Sequence, residues 1–333
     1  MAQPPLVSVP AGHDFKDRRS GLIVFGILAI FLGCMCALFV PLMFFGQAFS
    51  ARTTGQPPDY RMILPSVMVY VVLAVGFIWL GAGSIMARRW ARALLLVLAW
   101  MWLLLGVFTT GFMAVFLPQM LAVWQPDAGQ LPEAARLIVV VVSMGFMGVV
   151  FVALPAAFIL FYRSRHVKAT CEARDPVPRW TDACPLPVLA LSLALAFALV
   201  SLVTMLVAYN SVVPFFGRLL TGAPATALLV LMMVAWGYSA WATYKLKPAG
   251  WWVVTVGLVL FSVSAVLTFG RVDLIDLYQA MGYSPQDVRL LREFPLVRGQ
   301  ALTVITAVTM VPFIGYLITI KKHFRSVTGV RRP

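Results

Sequence analysis

The stretch YRSRHVKATCEARDPVPRWTDACPLPV, from Tyr162 to Val188, is the longest polar interruption in a strongly apolar chain. It contains two of the four cysteines, one of the three histidines and five basic residues. Apolar runs of 20 or more residues recur on both sides of it, and a helix of that length crosses the hydrocarbon core of a bilayer. The stretch therefore separates two regions that are predicted to span a membrane.

The composition indicates the class of protein. Hydrophobic residues make up 61% of the 333 residues and charged residues 11%, whereas a soluble domain has about 45–50% and about 25%. A transmembrane β-barrel would show short alternating segments instead of long apolar runs. The sequence therefore predicts an all-α integral membrane protein.

Eight spans are predicted, which we list by their expected bounds: Gly21–Phe45, Met62–Ala87, Ala93–Leu117, Leu137–Phe161, Val188–Tyr209, Ala223–Tyr244, Trp251–Gly270 and Ala301–Ile320. With the N-terminus inside, the inner segments carry 18 of the 26 Lys and Arg residues. Because inner loops are enriched in Lys and Arg, both termini are predicted to be cytoplasmic. The predicted location of the protein is the cell (cytoplasmic) membrane.

The formal charge of +14 is spread over short loops rather than gathered in a basic domain. A nucleic-acid partner is therefore not expected.

The two halves of the chain resemble each other at their polar and proline positions. The first span is predicted to end in PLMFFG, at Pro41–Gly46, and the fifth in PFFG, at Pro214–Gly217. The intervals Pro155–His166 and Pro312–His323 are equal. Because an even number of spans returns the chain to its starting side, the pattern predicts two four-helix repeats of the same orientation.

This pattern divides the chain into a disordered cytoplasmic tail, a first membrane unit, a cytoplasmic linker, a second unit and a C-terminal tail, at residues 1–20, 21–162, 163–187, 188–323 and 324–333. The outer loop Arg271–Gln300 is predicted to hold two short helices, with Ser284 as an N-cap. They would form a cap on the outer membrane interface or, alternatively, a gate or a partner-docking surface.

The spans contain no groups of the kind that catalysis or ion coupling usually needs at depth. No Asp, Glu, Lys, Arg or His lies well inside any predicted span, and no common hydrolase, phosphate-loop or zinc-protease motif is present. Cys34 and Cys36 point to different sides of a helix and are expected to pack as small apolar residues. The chain is therefore not expected to be an enzyme, and no cofactor or metal is expected.

The linker also lacks a set of residues that would predict a metal site. His166, Cys171 and Cys184 are three loosely spaced ligands where structural zinc usually needs four, and a reducing compartment disfavours a disulfide. We interpret the stretch as an ordered joint. In it, Glu172, Asp175 and Asp182 can pair with Arg174 and Arg179.

Basic residues at the inner ends of the fourth and eighth spans suggest a lipid contact. Arg165 matches Lys322 in the predicted repeat, and Arg163, Arg165, Lys321 and Lys322 would form two pseudo-symmetric basic corners. Since juxtamembrane cations attract anionic lipid, these four residues are predicted to contact anionic head groups at the cytoplasmic face.

Two main functions agree with this sequence. The first is a non-catalytic accessory or scaffold component of the membrane, with a membrane protein as its partner. The alternative is a permease or facilitator for a neutral or weakly polar solute that uses the interface between the repeats. A polar cavity there would favour the permease, and a core of Leu, Phe and Trp the scaffold. A lipid-modifying enzyme is a third hypothesis and would need a cleft around His166 or His323.

Overall fold

The computed structural model describes residues 16–54, 60, 63–123, 133–283, 288 and 299–325, and most of them are helical. The described elements are α1 (Arg19–Thr54), α2 (Leu64–Ile85), α3 (Arg89–Val123), α4 (Glu133–Gly148), a π turn (Val149–Ala153), α5 (Leu154–Arg163), α6 (Arg165–Arg174), a 3-10 turn (Trp180–Asp182), α7 (Leu186–Ala208), β1 (Val213–Phe215), β2 (Arg218–Leu220), α8 (Gly222–Tyr244), α9 (Pro248–Phe269), α10 (Leu274–Ala280), α11 (Gly299–Ile320) and α12 (Lys322–Arg325).

Among the residues described, seven helices are long and apolar enough to cross a bilayer: α1, α2, α3, the continuous rod α4–α5, α7, α8 and α9. Large apolar side chains such as Leu104 and Leu160 point outward from the bundle, as lipid-facing residues do. The helical class is confirmed, and the chain has the character of a multi-pass membrane protein. The eighth predicted span coincides with α11, which is 22 residues long, and the number eight stays a prediction. Ser284, the predicted N-cap, lies outside the described residues.

The two motifs that the sequence analysis paired have different structures. PLMFFG lies inside α1, which continues through Pro41 to Thr54 and so extends past the predicted end at Phe45. Proline is tolerated there because membrane helices can compensate for the lost hydrogen bond. PFFG instead forms the turn of the β1–β2 hairpin, in which Phe216 and Gly217 both have positive φ, as in primed hairpin turns.

The hairpin is held by two hydroxyls of α9. Ser264 accepts a hydrogen bond from the Phe216 N–H at 2.9 Å and donates to the Pro214 carbonyl at 3.1 Å. Thr268 accepts one from the Gly217 N–H at 3.0 Å. Since Ser264 and Thr268 are four residues apart, they lie on one face of the helix. These polar groups have a structural role.

A π turn interrupts the rod α4–α5 immediately before Pro155. The Leu154 N–H donates to the Val149 carbonyl, which is the wider i to i−5 bond of a π turn. Pro155 has no N–H, so the Phe151 carbonyl loses its usual helical donor. A Cβ added at Gly106 of α3 would collide with this carbonyl oxygen. Glycine at 106 therefore allows α3 to approach the widened turn.

Helices α1 and α2 cross at a very short distance. A Cβ added at Gly81 would lie 2.6 Å from the Gly26 carbonyl oxygen, and one at Gly26 would lie 2.8 Å from that of Gly81. A Cβ at Gly33 would lie 2.9 Å from the Ala74 carbonyl oxygen. Small residues at these positions bring the two backbones into contact, which is a common way for membrane helices to associate.

The turns α2–α3 and α8–α9 have the same backbone structure. Ala87 and Leu246 both have positive φ, at 53° and 55°. The N–H of the next residue, Arg88 or Lys247, donates to the carbonyl five positions earlier at 2.9 Å in both turns. This is the Schellman type of helix ending. A non-glycine residue is therefore held in the left-handed region at the end of α2 and at the end of α8.

One apolar cluster joins both halves of the bundle. It occupies the half of the bundle that contains the N-terminal ends of α1, α3, α7 and α9. Its buried members include residues of α1, α2, α3, α5, α7, α9 and α11, such as Leu22, Phe77, Leu95, Phe158, Val188, Trp251 and Leu317. At its edge the Ser84 and Tyr162 hydroxyls are hydrogen-bonded at 2.6 Å, and Ser84 lies 3.0 Å from the Leu22 carbonyl oxygen. These two hydroxyls thus satisfy each other within the bundle, as burial favours.

Gly81→Val is expected to force α1 and α2 apart, because no Cβ fits at position 81. Overpacking of this kind costs about 1–3 kcal/mol. The apparent melting temperature of the detergent-solubilised protein, measured as the monodisperse fraction after heating, should fall. Gly76→Val is the matched control, since a Cβ at Gly76 on the same helix meets nothing within 4 Å. Equal melting temperatures for both variants would contradict the close crossing.

Candidate functional site at the basic end of the bundle

Hydrogen bonds connect the helix ends on one side of the bundle, which we call the basic end. The Arg18 N–H donates to Thr170 of α6, and the Arg89 N–H donates to Asp175. Further links join α8, α9 and α11 to the same side: Tyr244 hydroxyl to Trp180 carbonyl, Trp251 Nε1 to Leu317 carbonyl, and Tyr316 hydroxyl to Pro187 carbonyl. The segments that were predicted to lie inside thus meet at one end.

Asp175 is the buried anion of this end, with only 3% of its side chain exposed. Its Oδ1 lies 2.7 Å from Arg179 Nη2 and 3.8 Å from Arg88 Nη1. Its Oδ2 accepts the N–H of Arg89, the first residue of α3, at 3.3 Å. The carboxylate therefore caps the positive end of α3 from outside that helix. Hydrogen bonding to Arg179 holds the pKa of Asp175 below its usual value.

Other ion pairs surround this contact. Arg89 lies 3.5 Å from Glu172 and 3.4 Å from Asp182, and Arg174 lies 3.1 Å from Asp17. Exposed pairs contribute about 0–1 kcal/mol each, so the buried Asp175 carries more weight than they do. Together the pairs fasten α6 and the 3-10 turn to the α2–α3 turn and to the start of α1. We call this set of contacts the linker latch.

Part of the linker latch was predicted from the sequence. The pair Asp175–Arg179 is one of the local pairs that the sequence predicted, and it is present. Arg174 pairs with Asp17 instead of with a linker carboxylate. The contacts of Arg88 and Arg89 were missed, because residues 86 positions apart in the chain can be matched only once the helices are placed.

Both linker cysteines are buried in the apolar cluster. Cys171 is 1% exposed and Cys184 is 5% exposed. Burial raises the pKa of each thiol to about 11, so both are protonated and poorly nucleophilic at neutral pH. In the described part of the chain, no three His, Cys, Asp or Glu side chains are grouped as metal ligands. Both thiols therefore occupy buried positions that are typical of packing residues.

The four residues predicted to contact lipid lie in two places. Arg163 and Arg165 are exposed at the junction of α5 and α6, and Lys322 is exposed at the start of α12. Lys321 differs, because its ammonium lies 4.5 Å from the centre of the Trp251 ring. The two arginines and the two lysines thus lie at different helix ends. Of the four residues, only Lys321 has its charged group on an aromatic ring.

A cleft opens between α2 and α7 in the opposite half of the bundle. Its volume is about 290 Å³. Its lining combines hydroxyl groups with apolar side chains and includes no charged residue: Pro65, Ser66, Met68, Val69, Tyr70, Phe197, Val200, Ser201 and Thr204. The Thr204 hydroxyl donates to the Ser201 carbonyl at 2.7 Å. The apolar cluster lies between this cleft and the basic end of the bundle.

The described histidines, one in the linker and one in α12, form hydrogen bonds with backbone groups. His166 Nδ1 accepts a hydrogen bond from the Lys16 N–H at 3.4 Å, and His323 Nδ1 lies 3.2 Å from the Ile320 carbonyl oxygen. These contacts place both rings against helix ends, whereas the cleft lies at the other end of the bundle.

The chain matches no protein-family model, no curated protein and no solved structure. Its function is therefore inferred from the arrangement of its own residues.

Asp175→Asn is expected to release α6 from the α2–α3 turn, because an amide cannot replace the carboxylate between two guanidinium groups. Hydrogen bonds to charged groups contribute about 1.5–3 kcal/mol each, so labelling of Cys171 by a water-soluble maleimide should rise about ten-fold or more. Mass spectrometry of the Cys171 peptide gives the measurement.

Asp17→Asn is the control for this experiment. It removes an exposed pair, in which 54% of the Asp17 side chain is accessible, and should leave Cys171 protected. Unchanged protection in Asp175→Asn would contradict the role given to the buried carboxylate.

Proposed function

We propose that this chain is a non-catalytic accessory or scaffold component of the cell membrane. The observation that carries the proposal is the packed apolar cluster that joins both halves of the bundle, with Leu95, Phe158 and Trp251 among its buried members. A transporter needs a pathway through this region, and a scaffold needs rigidity there. The absence of charged residues from the predicted spans also agrees with a role that requires no proton or ion coupling.

We propose eight spans with both termini in the cytoplasm. The basic end then faces the cytoplasm, in agreement with the rule that inner loops carry the excess of Lys and Arg. The exposed cations of that end, including Arg163, Arg165 and Lys322, contact anionic lipid head groups. Lys321 belongs to the same surface.

Duplication of a four-helix unit is part of the proposal. Helices α1, α2, α3 and α4–α5 pack in chain order, as do α7, α8, α9 and α11. The Schellman turns at Ala87 and Leu246 are 159 positions apart, and so are their hydrogen-bonding partners. The close contact of Gly83 with Ala91 recurs as that of Ala242 with Gly250, at the same interval. The different structures of PLMFFG and PFFG then mark divergence at the opposite end.

Helix α4 offers a surface for a membrane-protein partner. Consecutive residues Leu137, Ile138 and Val139 are all exposed, so more than half of the circumference of this part of the helix faces away from the bundle. A Cβ added at Gly145 or Gly148 would meet nothing within 4 Å. Exposed small residues allow a second helix to approach closely.

A facilitator for a neutral or weakly polar solute is the second candidate. The cleft between α2 and α7 favours it, because the cleft lies where the two proposed units meet and carries the hydroxyls of Ser66, Tyr70, Ser201 and Thr204. The packed cluster at the basic end argues against a continuous pathway.

Photo-cross-linking tests the scaffold. A benzoylphenylalanine in place of Phe146 on α4 is expected to give one discrete protein adduct in native membranes, identified as the same partner in independent preparations. The same group in place of Val234 on α8 is the control, since both positions are 66% exposed. Lipid adducts alone at both positions would reject α4 as the docking helix.

Liposome swelling tests the facilitator. Proteoliposomes are expected to swell no faster than empty liposomes in glycerol or urea, if the packed cluster closes the pathway. Faster swelling that is abolished by Ser201→Trp, which would fill the cleft, would instead establish the facilitator. Val234→Trp on a lipid-facing surface controls for the added ring.

A further inference from the structure

Lysines of the second half lie on aromatic rings at the basic end. The Lys247 ammonium is 3.9 Å from the centre of the Trp241 ring, and the Lys321 ammonium is 5.3 Å from that of Trp252. Lys245 belongs to the same α8–α9 turn as Lys247. We call these five residues the lysine–aromatic patch. Cation–π contacts hold the ammonium groups in place without neutralising their charge.

The patch is built on a fixed support. Trp251 is 5% exposed, its Nε1 donates to the Leu317 carbonyl at 2.8 Å, and its ring lies 4.5 Å from the Lys321 ammonium. Trp251 and Trp252 stand in the first turn of α9, which follows Lys247 directly. Helix α12 also packs on α9. The lysines of the turn and of the α11 end therefore border the same first turn of α9.

The positive charge of the patch is uncompensated by the described carboxylates of this end. Asp17, Glu172, Asp175 and Asp182 all pair with cations of the first half or the linker. None of these pairs includes a lysine of the patch. The basic end therefore has one zone whose charges are paired internally, in the linker latch, and one zone whose charges are available to an external anion.

The neighbouring surface fits an acyl chain. From the exposed Trp252, the side chains of Val256, Val259 and Val263 follow along α9 at spacings of three and four, and all are exposed. Residues at these spacings form one stripe on a helix. An apolar stripe that begins at a cluster of ammonium groups matches a lipid with an anionic head group, whereas free phosphate would use the lysines alone.

We infer that the lysine–aromatic patch is a binding site for an anionic phospholipid, with its phosphate at Lys245, Lys247 and Lys321 and an acyl chain along Trp252 and α9. The inference rests on the proposed membrane orientation, which places these residues at the head-group level of the cytoplasmic leaflet. Interfacial Trp and Lys residues are suited to that level.

Native mass spectrometry of the full chain with phosphatidylglycerol tests the site. Replacing Lys245, Lys247 and Lys321 by Gln together is expected to weaken retention by about five-fold for each lysine. The matched control replaces Arg52, Arg218 and Arg271 by Gln, which removes the same charge from exposed positions at the opposite end of the bundle. This control should lose much less lipid. Equal losses from the two triple variants, or unchanged retention by the patch variant, would overturn the inference.

Trp252→Leu keeps every charge and guards against an unfolded triple variant. It is expected to lower phosphatidylglycerol retention by about two- to five-fold, from the loss of the cation–π contact. If this variant retains as much phosphatidylglycerol as the wild type, the aromatic ring does not contribute to the site. Inorganic phosphate at the same concentration should not displace the lipid, and displacement would assign the lysines to free phosphate.

The orientation is tested independently. A cysteine introduced by Lys322→Cys should resist labelling by an impermeant maleimide in intact cells and react after lysis. Labelling from outside would reject the proposed orientation while leaving the lipid measurement in detergent unaffected. The two failures are therefore distinguishable.

Discussion

The buried carboxylate of Asp175 is the interaction on which the charged end of this bundle depends. It binds Arg179 beside it in the linker, faces Arg88 of the α2–α3 turn and caps the first N–H of α3. Each partner comes from a different part of the surface, so one side chain fixes the position of the linker, the turn and the helix. Removing it would leave two guanidinium groups facing each other without an anion between them.

The interior of the bundle obeys a similar requirement for uncharged groups, because a buried polar atom also needs a hydrogen-bonding partner. Since polar groups in a membrane must be satisfied within the protein, several hydroxyls at the crossings bond to nearby backbone or to each other. Ser84 and Tyr162 form such a pair, and Ser264 and Thr268 hold the hairpin. The remaining contacts are apolar or are direct backbone approaches at glycine, as between Gly26 and Gly81. The result is a bundle that is rigid at the basic end and open to lipid elsewhere.

Hydropathy and local spacing were sufficient for the helices and for the pair Asp175–Arg179, because both are properties of short segments. They were insufficient where a structure depends on a distant partner. PFFG after an apolar run reads as the end of a helix, yet hydroxyls of α9 fold it into a hairpin. The rings of Trp251 and Trp252 beside Lys321 come from about 70 positions earlier in the chain, so no local pattern predicts that contact. The partners of Arg88 and Arg89 depend on how the linker folds back, which no local pattern records.

The π turn before Pro155 has a consequence for how the rod α4–α5 presents itself. One additional residue in a helical turn rotates everything beyond it by about 100°. The buried stripe of α5, with Phe158 and Tyr162, is thus out of phase with the surface of α4. The two segments of one continuous helix can therefore have different surroundings, with one committed to the core and the other free to meet lipid or another protein. Loss of a single residue between Val149 and Ala153 would bring the two surfaces back into phase and turn a different side of α4 toward α3.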